Sequence, residues 1–213
     1  NLDVLEKCDY VFLTVKPQYY APVIEEIKDH VKENHVFISI GAGVTLDYLG
    51  KAFGDKNVKL VRVMPNTPAQ VGEGMSAACP NEFVSEEETK TTLSILSAFG
   101  KAEIIPENLF DVVTGISGSG PAYVFLFIEA LADAAVVGGM PRRQAYEFAA
   151  QTVYGAAKMV METGKHPGEL KDMVCSPAGT TIAAVRTLEA NNFRSAVIEG
   201  ANAATEKSAA MRG

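Results

Sequence analysis

Cysteine is scarce in this 213-residue chain, and its arrangement excludes two designs. Cys8, Cys79 and Cys175 are odd in number, far apart, and form no CxxC pair. A disulfide framework and a zinc ribbon are therefore excluded, and the usage fits a reducing cytoplasm. Histidine is as rare. His30, His35 and His166 stand at no metal-ligand spacing with a Cys, a His or an acidic residue, so no metal site is expected. His30 and His35 read as solvated turn residues, and His166-Pro167-Gly168 as a turn before a helix. A basic excess is also missing. The net charge of -7 argues against a nucleic-acid partner and against a surface that seeks anionic lipid. No signal peptide is visible, since Asp3, Glu6 and Lys7 come early.

What remains is ordinary for a globular protein. The chain is 47% hydrophobic and 21% charged, enough to bury a core in one large domain or two small ones. The most apolar stretch, Tyr123–Met140, is interrupted by Glu129 and Asp133, which argues against a membrane span. It reads as a helix apolar on nearly all sides, and such helices are buried. In so small a chain that burial requires a partner subunit, so an obligate homodimer is expected.

The first half alternates strands and helices. Strands are predicted at Tyr10–Val15, Val36–Ile40, Lys59–Met64, Met75–Cys79 and Ala102–Ile105. Helices are predicted at Tyr20–Lys32, Leu46–Phe53 and Glu86–Phe99. Such alternation implies a parallel sheet with helices on its faces. After Pro106 no strand pattern remains. Helices are expected at Glu107–Val113, Ser117–Gly138, Pro141 to about Glu162, Gly168–Val174, Pro177–Ala190 and Phe193–Met211. The boundary is placed at Pro106, with an α/β Rossmann-type part over 1–106 and an all-helical part over 107–213.

Four segments could carry chemistry. Ile38-Ser39-Ile40-Gly41-Ala42-Gly43 runs a strand into G-x-G, but Leu46 stands where the dinucleotide fingerprint needs its third glycine. It reads as a later strand-end turn of the same sheet, where strand C-termini face a ligand crevice. Thr14-Val15-Lys16-Pro17 and Arg62 to Pro68 are two more strand ends; either Pro17 only starts a turn, or Lys16 and the backbone border a cofactor. Gly115-Ile116-Ser117-Gly118-Ser119-Gly120-Pro121 is either a tight helix junction or a site-lining segment. Finally, Cys175 to Thr181 is a loop of small and hydroxylated residues entering a helix. It is either simply capped by Ser176 or Thr180, or it offers free amides and hydroxyls to an anion such as a substrate carboxylate. Cys175 has no histidine placed to activate it as a nucleophile.

Taken together, VFLTVKPQ (11–18), ISIGAGVT (38–45), RVMPNTP (62–68), DVVTGISGSGPAYVF (111–125), MPRRQA (140–145) and LKDMVCSPAGTTIAAVRTLE (170–189) resemble the pyrroline-5-carboxylate reductase family. The last segment is similar to that family's signature. The resemblance implies an oxidoreductase of proline biosynthesis, reducing the cyclic imine 1-pyrroline-5-carboxylate to L-proline with NADPH or NADH. It also implies a Rossmann-type domain joined to a helical dimerisation domain, and a cytoplasmic homodimer that often assembles further. Thr14, Val15, Lys16, Pro17, Ile40, Gly41 and Ala42 would border the cofactor. Glu107, Ser176, Thr180 and Thr181 would meet the substrate, with Thr181 the catalytic candidate. Met173 stands where relatives carry a cofactor-contacting Asn, so that contact is not carried over. The family's glycine-rich loop precedes Asn1, so the Rossmann part is expected here without its first βαβ unit, and these 213 residues are expected to bind cofactor weakly and turn over little.

Two other readings compete. A β-hydroxyacid or 6-phosphogluconate-type dehydrogenase would place a Lys soon after the glycine-rich junction, but Tyr123 to Asp133 contains none and Val124 holds that place. A non-enzymatic helical module is the third.

Overall fold

The computed structural model describes residues 1–211. The last two positions of the expected helical half, 212 and 213, lie outside the described residues. Two compact units are present: Asn1–Pro121 together with the chain from Ala201 onward, and Ala122–Gly200.

The first unit is built on a five-stranded sheet in the order β1-β2-β3-β4-β5. The strands are β1 (Tyr10–Leu13), β2 (Val36–Ser39), β3 (Lys59–Met64), β4 (Gly74–Pro80) and β5 (Gly100–Ile104). β1, β2 and β3 are mutually parallel, with Phe12 opposite Ile38 and Ile38 opposite Val61. The expectation of a wholly parallel sheet is corrected beyond that point. β4 runs antiparallel to β3, with Met64 opposite Ala77, and β5 runs parallel to β4. The reason is chain length. Only Pro65 to Glu73 joins β3 to β4, and most of it is a 3₁₀ turn at Thr67–Val71. A parallel return needs a dozen or more residues, usually with a helix.

Side chains of the central strands alternate between the two faces, as the two-residue period demands. Phe37 and Leu60 pack with Tyr20 and Ile24 of α2 (Tyr20–Ile27) and with Leu49 of α3 (Leu46–Ala52). Ile38, Val61 and Val63 pack on the other face with Leu96 of α4 (Glu86–Ser97). Ser85 caps α4 through a capping box with Glu88, which satisfies two helix-end donors reciprocally.

A short helix, α1 (Leu2–Lys7), opens the chain. It buries Leu5, whose carbonyl meets His35 Nε2 at 2.9 Å, while Lys32 N donates to His35 Nδ1. His35 is therefore a buried tie, 1% exposed, and not the solvated turn residue its position in the sequence suggested.

After β5 a 3₁₀ turn at Glu107–Leu109 and α5 (Phe110–Val113) lead into a π-helical turn, Thr114–Gly118, and then α6 (Gly120–Val137). The end of α10 (Phe193–Ala209) belongs to the first unit. Thr205 Oγ1 and the Ala201 carbonyl lie 2.2 Å and 2.7 Å from the point where a Cβ on Gly115 would stand. Only glycine fits there, so at Gly115 the junction reading of this segment accounts for the residue.

The second unit contains α7 (Arg142–Thr163), α8 (Pro167–Val174), α9 (Thr180–Ala190) and the adjoining stretches of α6 and α10. Its fully buried apolar residues are three alanines, Ala132, Ala145 and Ala149, around which Ile128, Leu131 and Met140 pack. Larger apolar side chains face outward, among them Phe125, Leu126, Val137 and Phe148. A groove of about 590 Å³ runs beside Phe125, Leu126 and Tyr146. By length and composition the helical run Glu107–Val137 could cross a membrane. An outward apolar face of this kind marks a surface that meets another molecule.

Candidate active site

The parallel strands bring their C-terminal ends to one rim, the place where open α/β sheets bind ligands. β1 ends there into Thr14, Val15, Lys16 and Pro17, all exposed. Pro17 starts a 3₁₀ turn, Pro17–Tyr19, with Lys16 extended before it. Beside it, β2 ends into Ile40, Gly41 and Ala42. The two ends are joined directly, since Ile40 N donates to the Leu13 carbonyl at 3.4 Å.

Beneath both lies the Tyr20 hydroxyl. It donates to the Leu13 carbonyl at 2.7 Å and accepts from Ser39 Oγ at 3.1 Å. Burial pushes the Tyr20 phenol above its ordinary value, against weaker opposing bonds from Ser39, Gly41 and Ile40. The phenol therefore stays a donor throughout the physiological range. A Cβ on Gly41 would stand 2.8 Å from this hydroxyl. The glycine that begins the Gly41-Ala42-Gly43 turn is thus explained by Tyr20 beneath it. Periodicity shows only that Tyr20 faces the core; what it holds there is a long-range fact.

β3 ends into Pro65 and Asn66. Asn66 spans the rim with both ends of its amide: Oδ1 accepts from Met75 N at 2.9 Å, and Nδ2 donates to Ser117 Oγ at 3.2 Å. Ser117 of the glycine-rich segment is thereby tied to the third strand end.

Glu107 lies in a different environment from these turns. Its Oε1 accepts from Leu46 N, at the start of α3, at 2.8 Å and from Arg62 Nη1 at 2.9 Å. Arg62 projects from the middle of β3, is 3% exposed, and places its guanidinium 4.5 Å over the Phe110 ring. Cys79 is the neighbouring titratable group. Burial, and next the Glu107 charge, push its thiol up. A single Arg inside the apolar run KLVRVM was the signal for this pair, because a buried charge needs a partner.

In the second unit, Ser176, Thr180 and Thr181 converge on the start of α9. Ser176 is followed by a tight turn in which Gly179 N donates to the Ser176 carbonyl at 3.0 Å. Ala178 adopts a left-handed backbone, φ 57°, unusual for a residue with a Cβ. The N-cap of α9 is Gly179, which has no side chain to bond the first amides. Thr181 is half-buried and Thr180 exposed in the first turn. The first amides of a helix have no intrahelical partners. This turn therefore presents donors and hydroxyls suited to a carboxylate.

The comparisons with known proteins bear on the whole chain. Residues 107–211 match the family described as pyrroline-5-carboxylate reductase dimerisation, and residues 1–43 match NADP oxidoreductase coenzyme F420-dependent. The pyrroline-5-carboxylate reductase of Escherichia coli (strain K12) is 55% identical over 206 residues, covering 97% of this chain and 76% of that protein. The chain belongs to the pyrroline-5-carboxylate reductase family. The enzyme of Methanosarcina acetivorans is 47% identical, over 98% of this chain and 77% of its own length. Among solved structures, Plasmodium falciparum pyrroline carboxylate reductase with NADP bound is similar at TM-score 0.90 and 37% identity, covering all of this chain and 80% of that one. A pyrroline-5-carboxylate reductase from Coxiella burnetii gives TM-score 0.92 at 36% identity, over 99% and 78%.

The rim fits the family's dinucleotide in its chemistry. Its backbone is open at Thr14 to Pro17 and its side chains there are small, apart from one cation, Lys16.

Proposed function

We propose that the strand-end residues and the start of α9 carry the two halves of an NAD(P)H-dependent imine reduction. The chain is a pyrroline-5-carboxylate reductase: it converts 1-pyrroline-5-carboxylate to L-proline, the last step of proline biosynthesis. Thr14, Val15, Lys16, Pro17, Ile40, Gly41 and Ala42 border the cofactor, whose chemistry when bound is to supply a hydride to the C=N carbon. Glu107, Ser176, Thr180 and Thr181 hold the substrate. Residues 1–106 serve as the cofactor part, and 107–213 as the substrate and dimerisation part. The protein is soluble and cytoplasmic, and it is a homo-oligomer whose dimers assemble further. Its exposed apolar face on α6 and α7 meets a second subunit, and no membrane or nucleic acid is a partner.

The mechanism asks little of acid–base groups. A protonated imine is already electrophilic, so the protein's work is to hold the substrate carbon in position and exclude alternatives. Tyr20 and Ser39 fix the two cofactor-bordering turns. The amides of the uncapped α9 terminus and the Thr180 and Thr181 hydroxyls bind the substrate carboxylate. Gly179 lets it approach closely, and no Arg of this segment stands nearer than Arg186. Glu107 offers a carboxylate oxygen to the ring nitrogen.

The observation that carries the substrate seat is the α9 N-terminus without a side-chain cap. Thr181→Ala removes one charge-assisted hydrogen bond, about 1.5–3 kcal/mol, which is roughly a ten- to hundredfold loss in kcat/KM. Thr181→Ser keeps the hydroxyl and retains most of the activity. Steady-state consumption of reduced nicotinamide by enzyme that includes the family's glycine-rich loop, with a thermal melt alongside, measures both. Unchanged kinetics, or a loss explained wholly by unfolding, moves the carboxylate elsewhere.

A further inference from the structure

We propose that Arg62 is a positioning residue of the substrate site: it holds one oxygen of Glu107 so that the other can accept a hydrogen bond from the ring nitrogen of the imine or of proline. This rests on the reading of Glu107 as a substrate contact given above.

The argument begins with the cost of the pair. Arg62 takes an inward position on a central strand and is 3% exposed. Buried ion pairs often stabilise a fold no better than apolar residues of the same size. The strand positions beside it, Leu60, Val61 and Val63, are apolar and fully buried, so an apolar residue would suit the sheet at position 62. The pair's geometry shows another use. Two donors from two elements, Arg62 Nη1 from β3 and Leu46 N from α3, converge on the same atom, Glu107 Oε1. The Phe110 ring lies under the guanidinium and limits its tilt. A carboxylate held through one oxygen by two fixed donors keeps its second oxygen, Oε2, outside both bonds and in a defined orientation.

Exposure separates the roles. The Glu107 side chain is 31% accessible and that of Arg62 only 3%. A ligand can reach the carboxylate and cannot reach the guanidinium, so Arg62 acts through Glu107. Cys79 beside them is kept a neutral thiol by burial and by the Glu107 charge. It does not compete for the carboxylate as a cation would. The chemistry matches the ligand: a protonated imine and its product, a secondary ammonium, each present an N–H and a positive charge, which a carboxylate binds.

The test separates ring nitrogen from carboxylate. Inhibition constants are measured for proline and for its ring-oxygen analogue, which keeps the carboxylate and has no N–H. The KM for the imine is measured in parallel. The enzymes, each including the family's glycine-rich loop, are the parent, Glu107→Gln, Arg62→Met and Arg62→Lys, each with a thermal melt. In Glu107→Gln and Arg62→Met the imine KM and the proline constant rise about tenfold, the loss of one charge-assisted bond. The constant for the ring-oxygen analogue moves less than about twofold. Arg62→Lys keeps the charge without the planar fork and falls between. A selective loss in Glu107→Gln with none in either Arg62 variant overturns the proposal and leaves the Glu107 contact standing. No proline effect in Glu107→Gln overturns both. If Arg62→Met does not fold, Arg62→Lys decides: equal loss for the two ligands reduces Arg62 to a structural role and overturns the proposal.

Discussion

Replacing Gly115 by alanine sets two effects of opposite sign against each other, and the structure says which is larger. Alanine is the better helix former by about 1 kcal/mol. Against that, its methyl group would stand 2.2 Å from Thr205 Oγ1, 2.7 Å from the Ala201 carbonyl and 3.2 Å from Thr205 N. Rotating Thr205 relieves only the first contact. The other two are backbone atoms of α10, so the helix must move. Overpacking of this kind costs about 1–3 kcal/mol, and two contacts with backbone atoms place it near the upper end. The net destabilisation is about 2 kcal/mol, or roughly 4–8 °C in Tm for a chain of this size. Circular dichroism melts measure it. Gly50→Ala is the control, because Gly50 lies inside α3 with nothing within 4 Å of a Cβ; that variant melts at or above the parent. The Gly115→Ala, Thr205→Ala double variant recovers only part of the loss. A Gly115→Ala protein melting as high as the parent would refute the packing argument.

Two further predictions concern groups away from α10. Tyr20→Phe leaves Ser39 Oγ without its buried partner and the Leu13 carbonyl with the Ile40 amide but without the phenol; a Tm loss corresponding to about 1–3 kcal/mol and a several-fold rise in the KM for reduced nicotinamide are expected, and a melt and kinetics identical to the parent would show that the hydroxyl holds neither turn. For Glu88, burial alone would raise the carboxyl, but bonds from Lys59, the Ser85 amide and the Ser85 hydroxyl outweigh it and hold the group below its ordinary 4.5. Its contribution is therefore present above that value and lost as pH falls through the depressed one. Ser85→Ala should cost about 1 kcal/mol near neutrality as a lost helix cap, with the deficit shrinking as pH falls through the depressed value of Glu88; urea midpoints against pH measure this, and a deficit that does not change with pH would contradict it.

Much of this fold was legible because its central strands are buried on both faces. Continuous apolar runs such as VFIS and LVRVM mark such strands whatever their neighbours are. Direction was less legible. The run of β4 looks the same in either orientation, and only the short Pro65–Glu73 connection forces its reversal. Helix α1 escaped notice because six residues are too few to show a period. His35 was misread and the partner of Arg62 not named for one reason: Leu5 and Glu107 are 30 and 45 residues away, and nothing local records which group each one meets. The strand-end turns were found as places because proline and glycine punctuate them. The groups that hold those turns, Tyr20 beneath two of them and Asn66 at the third, are visible only in three dimensions. At α9 the sequence left capping and ligand binding open; the glycine at the N-cap, Gly179, supplies no side-chain bond of its own.

The second unit has only alanines at its centre, while Phe125, Leu126 and Phe148 lie outside. Three small side chains contribute little of the apolar burial that holds a domain together. The match of residues 107–211 to a dimerisation family supports association of this chain with itself, and the stability that association adds depends on the protein's own concentration. That added share falls on dilution and rises with the amount a cell makes.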